Sequence, residues 1–340
     1  MKILICSPAF LPHVGGLEIN VANLARGMTR QGHEVTVLTT TPGDGPDSLP
    51  FSVVRSPSPG ERLRKIRECD VFFQANVSLK ALWPLLFVRR PWVVSHHSWY
   101  RRPDGRIAWQ DRMKRRLLRF AAASIAVSRA IADDLPVPSV VIPNPYRDDL
   151  FRLLPGIERT GELAFVGRLV SDKGVDILLD ALALVAREGL RPRLTVIGDG
   201  PEAPRLREQA DRLGIAGQVD FLGTRTGEEL VELLNRHRIL VAPSRYNEPF
   251  GIVALEGIAC GCVAVGSEGG GLKDAIGPCG KTFRNGDPEE LARVLGDLLR
   301  HPETHAELLS NASEHLAGHS TERAVAAYLA AIGAAGRATA

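Results

Sequence analysis

Two successive series of short apolar runs, each run separated from the next by a helical segment, constrain the fold of this chain more than any other feature. Most of these runs carry hydrophobic side chains at consecutive positions, which is typical of strands in a parallel sheet covered on both faces. In the first series the predicted strands are 3–6, 35–38, 52–54, 71–73, 92–94, 125–127 and 140–142. The first helix is predicted from Gly16 to about Gln31, before Gly32.

The series restarts after residues 143–160, which are rich in proline and charge and are expected to be a linker. The second set of predicted strands is 163–166, 194–197, 219–222, 239–241 and 263–265. The predicted helices are 175–187, 202–213, 227–236, 252–259, 288–299 and, at the end, about 321–332. The Ala/Gly-rich tail is expected to fray over 331–340. We therefore expect two doubly wound α/β units that face each other across a ligand-binding cleft.

The composition agrees with two globular domains. A chain of 340 residues exceeds one ordinary core, and its 44% hydrophobic and 24% charged residues are typical of a soluble protein. The expected division is 1–150, 151–318 and a C-terminal helix within 319–340 that packs back on the first domain. A net charge of +3 gives no argument for a nucleic-acid partner.

No segment has the pattern of a signal peptide or of a bilayer-spanning helix. Pro8 and Pro12 interrupt the apolar start, and the apolar stretch 81–88 is too short to span a bilayer. We therefore expect a cytoplasmic protein. Five cysteines are a poor disulfide framework, and Cys260 and Cys262 lack further ligands nearby, which favours packing over metal binding. No cofactor and no metal are expected.

The segment 244–257 carries the most chemistry. Glu248 precedes a predicted helix that begins after Phe250 and Gly251, and Glu256 lies inside that helix. The free N–H groups of a helix N-terminus attract an anion. The rest of the helix is apolar, and a carboxylate in a buried helix requires hydrogen-bond donors such as sugar hydroxyls. A capping Glu and a solvated Glu are the structural alternative.

Two further loops place cations and glycines beside predicted helices. Arg168 and Lys173 follow the strand at 163–166, where they could meet a diphosphate leaving group and stabilise its growing charge. Gly15 and Gly16 start the first helix, where backbone N–H groups could meet phosphate. Solvated cations and a plain tight turn are the respective alternatives.

Together these motifs resemble the retaining glycosyltransferases of family 4, which have the α/β GT-B fold with two Rossmann-like domains facing a cleft. The spacing E-x7-E from Glu248 to Glu256 matches the family signature. Residues 8–16, 165–174, 196–201 and 219–223 are similar to further strand and loop motifs of the family. The resemblance covers nearly the whole chain.

The resemblance implies transfer of a sugar with retention, without a metal, from a nucleotide-sugar donor such as a UDP-sugar to an acceptor hydroxyl. The catalytic residues that it implies are His97, Arg168, Lys173 and Glu248. The donor-binding residues that it implies are Gly15, Gly16, Gly198, Phe250, Gly251, Ile252 and Glu256. Glu256 would bind the ribose hydroxyls, Glu248 would fix a sugar hydroxyl, and the two cations would take the diphosphate. The leaving phosphate would act as the base on the front face.

Adjacent histidines follow the strand predicted at 92–94. His97 aligns with the family histidine that faces the donor sugar, and Ser98 stands where the family has aspartate. His96 is expected to point away, because successive strand residues alternate between the two faces.

A basic region runs from Arg101 to Arg119, with eight cations against Asp104 and Asp111. It could meet a membrane surface or an acidic acceptor, and a solvated helix face is the alternative. The acceptor could be a small molecule or lipid-linked, in natural-product or glycoconjugate synthesis. Abundant Ala, Arg, Gly and Leu indicate a GC-rich bacterial source. No aromatic ladder for single-stranded nucleic acid is present.

Two weaker patterns point elsewhere. Residues 198–203 fit a dinucleotide-binding G-x-G-x-x-A, but the acidic partner is poorly placed at Asp220. Residues 280–282 look like the end of a phosphate loop, yet the resemblance makes them a strand before a helix capped by Asp287. Three other functions stay open: a GT-B-fold epimerase or hydrolase of nucleotide sugars, a non-enzymatic nucleotide-sugar-binding protein, and a nicotinamide oxidoreductase.

Overall fold

The computed structural model describes residues 1–12, 15–43, 49–102 and 105–338, which form two compact units. One unit comprises Met1–Pro145 with Thr321–Ala340, and the other comprises Tyr146–Ser320. The chain crosses from one unit to the other a few residues from each boundary expected from the sequence. The last helix groups with the first unit.

Within the described residues, the sheet of the first unit has seven strands in the order β3-β2-β1-β4-β5-β6-β7. They are β1 (Lys2–Cys6), β2 (Glu34–Thr39), β3 (Ser52–Arg55), β4 (Val71–Ala75), β5 (Trp92–His96), β6 (Ala123–Ala126) and β7 (Val140–Val141). All neighbouring pairs are parallel, and Ile5 lies opposite Val37 on one side and Phe73 on the other. The seven strands expected from consecutive apolar residues are confirmed.

Helices connect these strands. They are α1 (Gly16–Arg30), α2 (Pro59–Glu68), α3 (Leu79–Leu82), α4 (Trp109–Leu117) and α5 (Arg129–Asp134), with 3-10 turns at Trp83–Leu86 and Leu118–Phe120. The start of α2 has local signals, since the Ser58 hydroxyl accepts from the Glu61 N–H at 3.2 Å and Pro59 is the first helical residue. Helix α4 buries no side chain completely.

Among the described residues of the second unit, six parallel strands lie in the order β10-β9-β8-β11-β12-β13. They are β8 (Gly161–Val166), β9 (Leu194–Ile197), β10 (Val219–Gly223), β11 (His237–Ala242), β12 (Val263–Ser267) and β13 (Gly280–Phe283). The helices are α6 (Val175–Arg187), α7 (Ala203–Arg212), α8 (Gly227–Asn235), α9 (Ile252–Ala259), α10 (Leu272–Ile276), α11 (Pro288–Arg300), α12 (Thr304–Leu308) and α13 (Ala312–Ala317). Residues 280–282 are in a strand, and the Asp287 carboxylate caps α11 by accepting from the Glu290 N–H at 2.9 Å, as predicted.

The segment expected to be a linker is held to the second unit over much of its length. The Arg152 guanidinium pairs with Glu228 at 3.1 Å, and the Asn235 amide donates to the Arg152 carbonyl at 3.0 Å. Phe151 is buried. Residues after 145 therefore belong to a packed unit rather than to a free connector.

The chain ends with α14 (Thr321–Ala338), which packs on α1 in the first unit. A side chain at Gly27 would overlap Val325, so the two helices lie close together. The Tyr328 ring meets Phe73 edge-on, with 5.8 Å between the ring centroids. Ile332 is fully buried. The expectation that the tail frays is wrong for residues 331–338, because α14 continues to Ala338 and buries Ile332 and Ala335.

Parallel strands bring all their carboxyl ends to one edge of the sheet. In the second unit this edge carries the loops that follow β8, β9, β11 and β12. These four loops contain, in that order, Arg168, Gly198, Glu248 and Gly270. In the first unit the equivalent edge carries Asn76 after β4 and His97 after β5.

Candidate functional site

Glu248 lies in the loop from β11 to α9 and is only 8% exposed. Its Oε1 accepts from the Lys173 ammonium at 2.6 Å and from the Ser244 hydroxyl at 2.6 Å. Its Oε2 accepts from the Tyr246 hydroxyl at 2.9 Å. Burial by itself raises the pKa of a carboxyl, but the Lys173 charge and these three hydrogen bonds outweigh it and lower the pKa of Glu248. The carboxylate is therefore ionised at neutral pH and held in one orientation.

Lys173 ends the 3-10 turn Ser171–Lys173 that follows β8. Separate roles are predicted for Lys173 and Glu248 from the motifs, and the structure places the two residues in direct contact across 75 positions of sequence. The Lys173 ammonium also lies 5.9 Å from the centroid of the Tyr246 ring. About a quarter of its side chain, 27%, remains exposed, so the ammonium can still meet a ligand.

The N-terminus of α9 begins next to this ion pair. Gly251 precedes the helix with a φ of 113°, in the region that favours glycine, and a Cβ there would overlap the Leu272 side chain. No side chain caps the first turn. Phe250 is buried, which anchors the turn. The backbone N–H groups at the start of α9, beginning with Ile252, are thus available to an anion or a sugar oxygen.

Glu256 lies about one turn beyond Ile252 on α9 and is half-buried. Burial raises the pKa of its carboxyl to about 7, and the Arg147 guanidinium offsets only part of that effect. Arg147 itself pairs with Asp149 at 2.9 Å. The charge of Glu256 therefore changes near neutral pH, unlike that of Glu248.

Arg168 and Gly198 lie on neighbouring loops after β8 and β9. The Arg168 side chain is exposed and forms no ion pair with a carboxylate in the described ranges. Burial raises the pKa of Tyr246, and the charge of Arg168 offsets part of that rise. Gly198 has a φ of 146°, and a Cβ there would overlap the Gly167 carbonyl oxygen. Only glycine allows the two loops to approach so closely.

Asn285, in the loop between β13 and α11, is a residue that the motifs did not indicate. Its Oδ1 accepts from the Gly269 N–H at 2.8 Å. Its Nδ2 lies 3.3 to 3.4 Å from three successive carbonyl oxygens, those of Ser244, Arg245 and Tyr246. One side chain thereby joins the loop that carries Glu248 to the loop after β12.

Gly15 and Gly16 start α1 in the first unit, with Gly15 as the residue before the helix. His13 and Val14 of the same motif lie outside the described residues. The Glu18 carboxylate lies beside Gly15, where a Cβ on that glycine would overlap it. A phosphate at this helix N-terminus would meet that negative charge, which weakens the predicted role of Gly15 and Gly16 in binding it.

His97 directly follows β5 and is held from two sides. Its Nε2 lies 2.8 Å from the Ser95 hydroxyl, and its backbone N–H donates to the Asn76 Oδ1 at 2.8 Å. Asn76 has a φ of 64°, an uncommon backbone conformation that aims its side chain at His97. Burial lowers the pKa of His97 to about 4, so the ring is neutral at physiological pH.

The family resemblance would place an aspartate after His97, where this chain has Ser98. Other polar groups lie around the His97 ring instead. The buried phenol of Tyr328 lies near Ser95. Burial raises the pKa of Tyr328, and the Ser95 hydroxyl offsets part of that rise. The Asn144 amide lies beside the ring and accepts a short hydrogen bond from Asn20. Within the described residues, the Nδ1 of His97 is buried without a hydrogen-bond partner.

His96 has separate surroundings, as expected from strand alternation. Its ring nitrogens lie 2.9 Å from the Tyr100 hydroxyl and 3.0 Å from the Ser124 hydroxyl. Burial lowers its pKa to about 3. These contacts make His96 a structural residue of the first unit.

Other sequence-based expectations concern metals, thiols and membrane spans. Among the described residues, no three His, Cys, Asp or Glu side chains cluster as metal ligands would. Cys260 and Cys262 are buried thiols, and the Cys262 thiol donates to the Leu234 carbonyl at 3.2 Å. In the described ranges, no helix combines the length and the apolar character needed to cross a bilayer.

Comparison with known proteins gives two family matches that together cover most of the chain. Residues 154–315 match the model "Glycosyl transferases group 1", and residues 14–149 match "Glycosyltransferase Family 4". A D-inositol 3-phosphate glycosyltransferase of Stackebrandtia nassauensis is 36% identical over 181 residues, which cover 49% of this chain and 41% of that protein. The chain thus spans less than half the length of that relative.

Two further likenesses extend over more of the chain. An uncharacterised glycosyltransferase of Methanocaldococcus jannaschii is 28% identical over 332 residues, covering 81% of this chain and 83% of that protein. The crystal structure of Anabaena HepE in complex with UDP has a TM-score of 0.81 and 23% identity, covering 97% of this chain and 100% of that one. This last likeness concerns the fold.

Proposed function

Because the chain belongs to the GT4-type glycosyltransferases and has their α/β GT-B fold, we propose that it transfers a sugar from a nucleotide-sugar donor to an acceptor hydroxyl, with retention. A UDP-sugar is the donor that we propose, and the UDP complex of the similarly folded HepE supports this choice. The observation that carries the proposal is the hydrogen-bonded pair of Lys173 and Glu248 beside the uncapped start of α9.

The pair can serve both predicted roles at once. An ammonium has three N–H donors, so Lys173 can keep one on Glu248 and turn the others to a diphosphate. The Glu248 carboxylate has four lone-pair sites, of which Lys173, Ser244 and Tyr246 use three. One site is left for a sugar hydroxyl, which would fix the sugar at a set distance from the diphosphate.

The negative charge that develops on the leaving diphosphate needs positive partners. Lys173, exposed Arg168 and the first N–H groups of α9 supply them without a metal ion. We therefore propose metal-independent transfer in which the leaving phosphate accepts the proton of the acceptor hydroxyl on the same face of the sugar. The predicted contact of His97 with the donor sugar belongs to this proposal.

The nucleoside would be bound by the second unit through Glu256. Its ionised carboxylate can accept two hydrogen bonds, one from each ribose hydroxyl. Burial keeps its pKa near 7, so binding of the ribose would favour the ionised form.

The acceptor would be bound by the first unit. We propose a hydroxyl-bearing natural product or glycoconjugate, small or lipid-linked, as its class. The basic region from Arg101 to Arg119 supports an acidic acceptor or a peripheral contact with a membrane, although residues 103 and 104 lie outside the described part. Helix α4 carries the centre of this region.

The proposal is tested by the release of UDP from UDP-sugars in the presence of EDTA. Glu248→Gln and Lys173→Ala should each lower turnover by about a hundredfold or more, since each removes a charge that acts in the transition state. Lys273→Ala, which removes an exposed lysine on α10, is the matched control and should leave turnover unchanged.

Four results would count against parts of the proposal. Wild-type turnover by folded Lys173→Ala would remove the leaving-group role, and loss of activity in EDTA would remove metal independence. Donor turnover that is as fast without any acceptor would favour the epimerase or hydrolase alternative. An inverted anomeric centre in the product, measured by proton NMR, would exclude retention.

A further inference from the structure

A wide groove opens on the first unit at the edge of the sheet opposite to His97. Its volume is about 1090 Å³, and its lining includes Asp70 just before β4 and Trp92 at the start of β5. His97 follows the other end of β5, which at about 3.3 Å per residue is roughly 16 Å away. The groove is therefore separate from the site described above.

Large apolar side chains stay exposed in and around this groove. Leu86 and Phe87, at the end of the 3-10 turn after α3, are 82% and 72% exposed. From the other side, Met113 and Phe120 are 43% and 63% exposed. Trp109, one helical turn before Met113 on α4, is 65% exposed. Apolar surface of this extent on one face marks a binding surface rather than ordinary scattered exposure.

Four exposed arginines accompany these apolar side chains: one lines the groove, and three lie on α4 or on the 3-10 turn that follows it. They are Arg89, Arg112, Arg116 and Arg119. In the part of the chain that the structure describes, none of the four pairs with a carboxylate, and the Arg119 guanidinium lies 4.7 Å from the centroid of the Phe120 ring. Two nearby carboxylates are paired, Asp111 with Lys114 at 2.9 Å and Asp134 with Arg115 at 2.8 Å, whereas Asp70 in the groove lining is exposed and accepts from the Lys2 backbone N–H at 2.7 Å. This surface, here called the groove face, thus combines exposed apolar side chains with an excess of positive charge.

We propose that the groove face binds the anionic surface of a phospholipid bilayer, with apolar side chains and a lipid chain meeting in the groove and lipid phosphates against the four arginines. Charge selects this occupant: a second copy of the chain, docked by two-fold symmetry, would bring the same arginines together. Exposed tryptophan and arginine side chains, such as those on α4, are typical of helices that lie in the plane of a membrane interface. The inference rests on the peripheral contact in the proposed function and does not depend on sugar transfer.

The test is sedimentation of the full chain with vesicles of phosphatidylcholine, with and without phosphatidylglycerol. The wild type should sediment with the anionic vesicles and be released by salt. Each arginine near an anionic surface contributes about fivefold to partitioning, so Arg112→Glu with Arg116→Glu should weaken binding by at least about 25-fold. Arg187→Glu with Arg212→Glu makes the same charge change on the second unit and should bind as the wild type does.

A second variant tests the apolar part of the groove face. Leu86→Ser with Phe87→Ser keeps all four arginines and should also lower binding to anionic vesicles, by about tenfold or more. Quenching of tryptophan fluorescence by brominated lipids should be strong in the wild type and weaker in Trp109→Phe, because Trp109 would lie at the bilayer interface.

Several results would overturn the inference. They are a wild type that stays in the supernatant at low salt, a double arginine variant that binds as well as its control, and a serine variant with undiminished binding. A dimer in light scattering that the arginine reversal dissociates would assign the face to a second copy instead. UDP calorimetry on the same preparations separates this failure from failure of the proposed sugar transfer.

Discussion

Glu256 is the residue whose chemistry depends most on pH. Its carboxyl is half-buried in an apolar helix, burial raises its pKa to about 7, and Arg147 compensates only in part. A protonated carboxyl can accept fewer hydrogen bonds than an ionised one, and its proton competes with the ribose hydroxyls. Binding of a nucleoside diphosphate should therefore release a proton from this group when the pH is near 7 or below.

The sign of the pH effect follows from this coupling. Donor affinity should rise as pH increases through about 7 and fall by up to about tenfold per pH unit below it. Calorimetry of UDP-sugar binding in buffers with different ionisation enthalpies, near neutral pH, measures the released proton, because the diphosphate of a sugar nucleotide, unlike the terminal phosphate of UDP, does not titrate near pH 7. Glu256→Gln should bind more weakly and release none. A wild type without proton release, or a glutamine variant that still releases it, would contradict the assignment.

Ser95 is predicted to position His97. Its hydroxyl lies 2.8 Å from Nε2 and holds the orientation of a neutral ring. If His97 acts on the donor sugar, Ser95→Ala should lower kcat about tenfold while the donor KM changes little. The matched control is Ser124→Ala, which removes the equivalent hydroxyl from His96 and should leave kcat unchanged. Equal kcat values for the two variants, measured as UDP release, would leave Ser95 without a positioning role.

At the scale of elements, the loop between β13 and α11 combines two separable functions. Asn285 holds the loop that carries Glu248, whereas Asp287, two residues later, caps α11. Asn285→Ala should raise the Kd for UDP-sugar several-fold, because the loop loses its bridge. Asp287→Ala should lower the free energy of unfolding by about 1 kcal/mol and leave the Kd unchanged. Chemical denaturation measures the free energy of unfolding, and calorimetry measures the Kd, for both variants. A weaker Kd in Asp287→Ala with an unchanged Kd in Asn285→Ala would refute the separate roles.

Elements with a continuous apolar pattern could be predicted from the sequence. The strands were located within a residue or two because buried parallel strands carry apolar side chains at consecutive positions. Helices were expected between the strands, but the bounds of α2 and α4 were not predicted, although Ser58 and Pro59 signal the start of α2. Both helices are mostly polar and bury at most one side chain completely, so their apolar pattern is weak. The extent of α14 was underestimated, since an Ala/Gly-rich tail gives no sign of the surface that it will cover.

The contacts of the candidate site could be predicted only in part. Motifs identified Glu248, Glu256, Arg168 and Lys173. No spacing reveals that Lys173 donates to Glu248, because their loops follow β8 and β11, which are neighbours in the sheet but distant in the sequence. Asn285 joins the same loops and belongs to no motif. Burial at single residues, which sets the pKa of Glu256, also follows from the packed structure alone.

At the scale of the whole molecule, α14 makes the first unit depend on the end of the chain. Truncation after Ser320 would remove the buried side chains of Val325, Tyr328 and Ile332 and would expose the apolar surface that they cover. Their burial contributes about 5 kcal/mol or more, comparable with the stability of a whole domain. The truncated chain should lose the first unit's transition in calorimetric unfolding, while the second unit keeps its own. An unchanged first transition would show that α14 is dispensable.

The central claim is that the second unit carries a metal-independent site for a nucleoside diphosphate sugar. Titration of UDP into the full chain in the presence of EDTA tests it most directly, with wild type, Lys173→Ala with Arg168→Ala, and the control Lys273→Ala. We expect saturable binding by the wild type and the control, and binding at least about a hundredfold weaker in the double variant, which lacks both cations for the diphosphate. Absence of UDP binding by the wild type, or equal binding by the double variant, would contradict it.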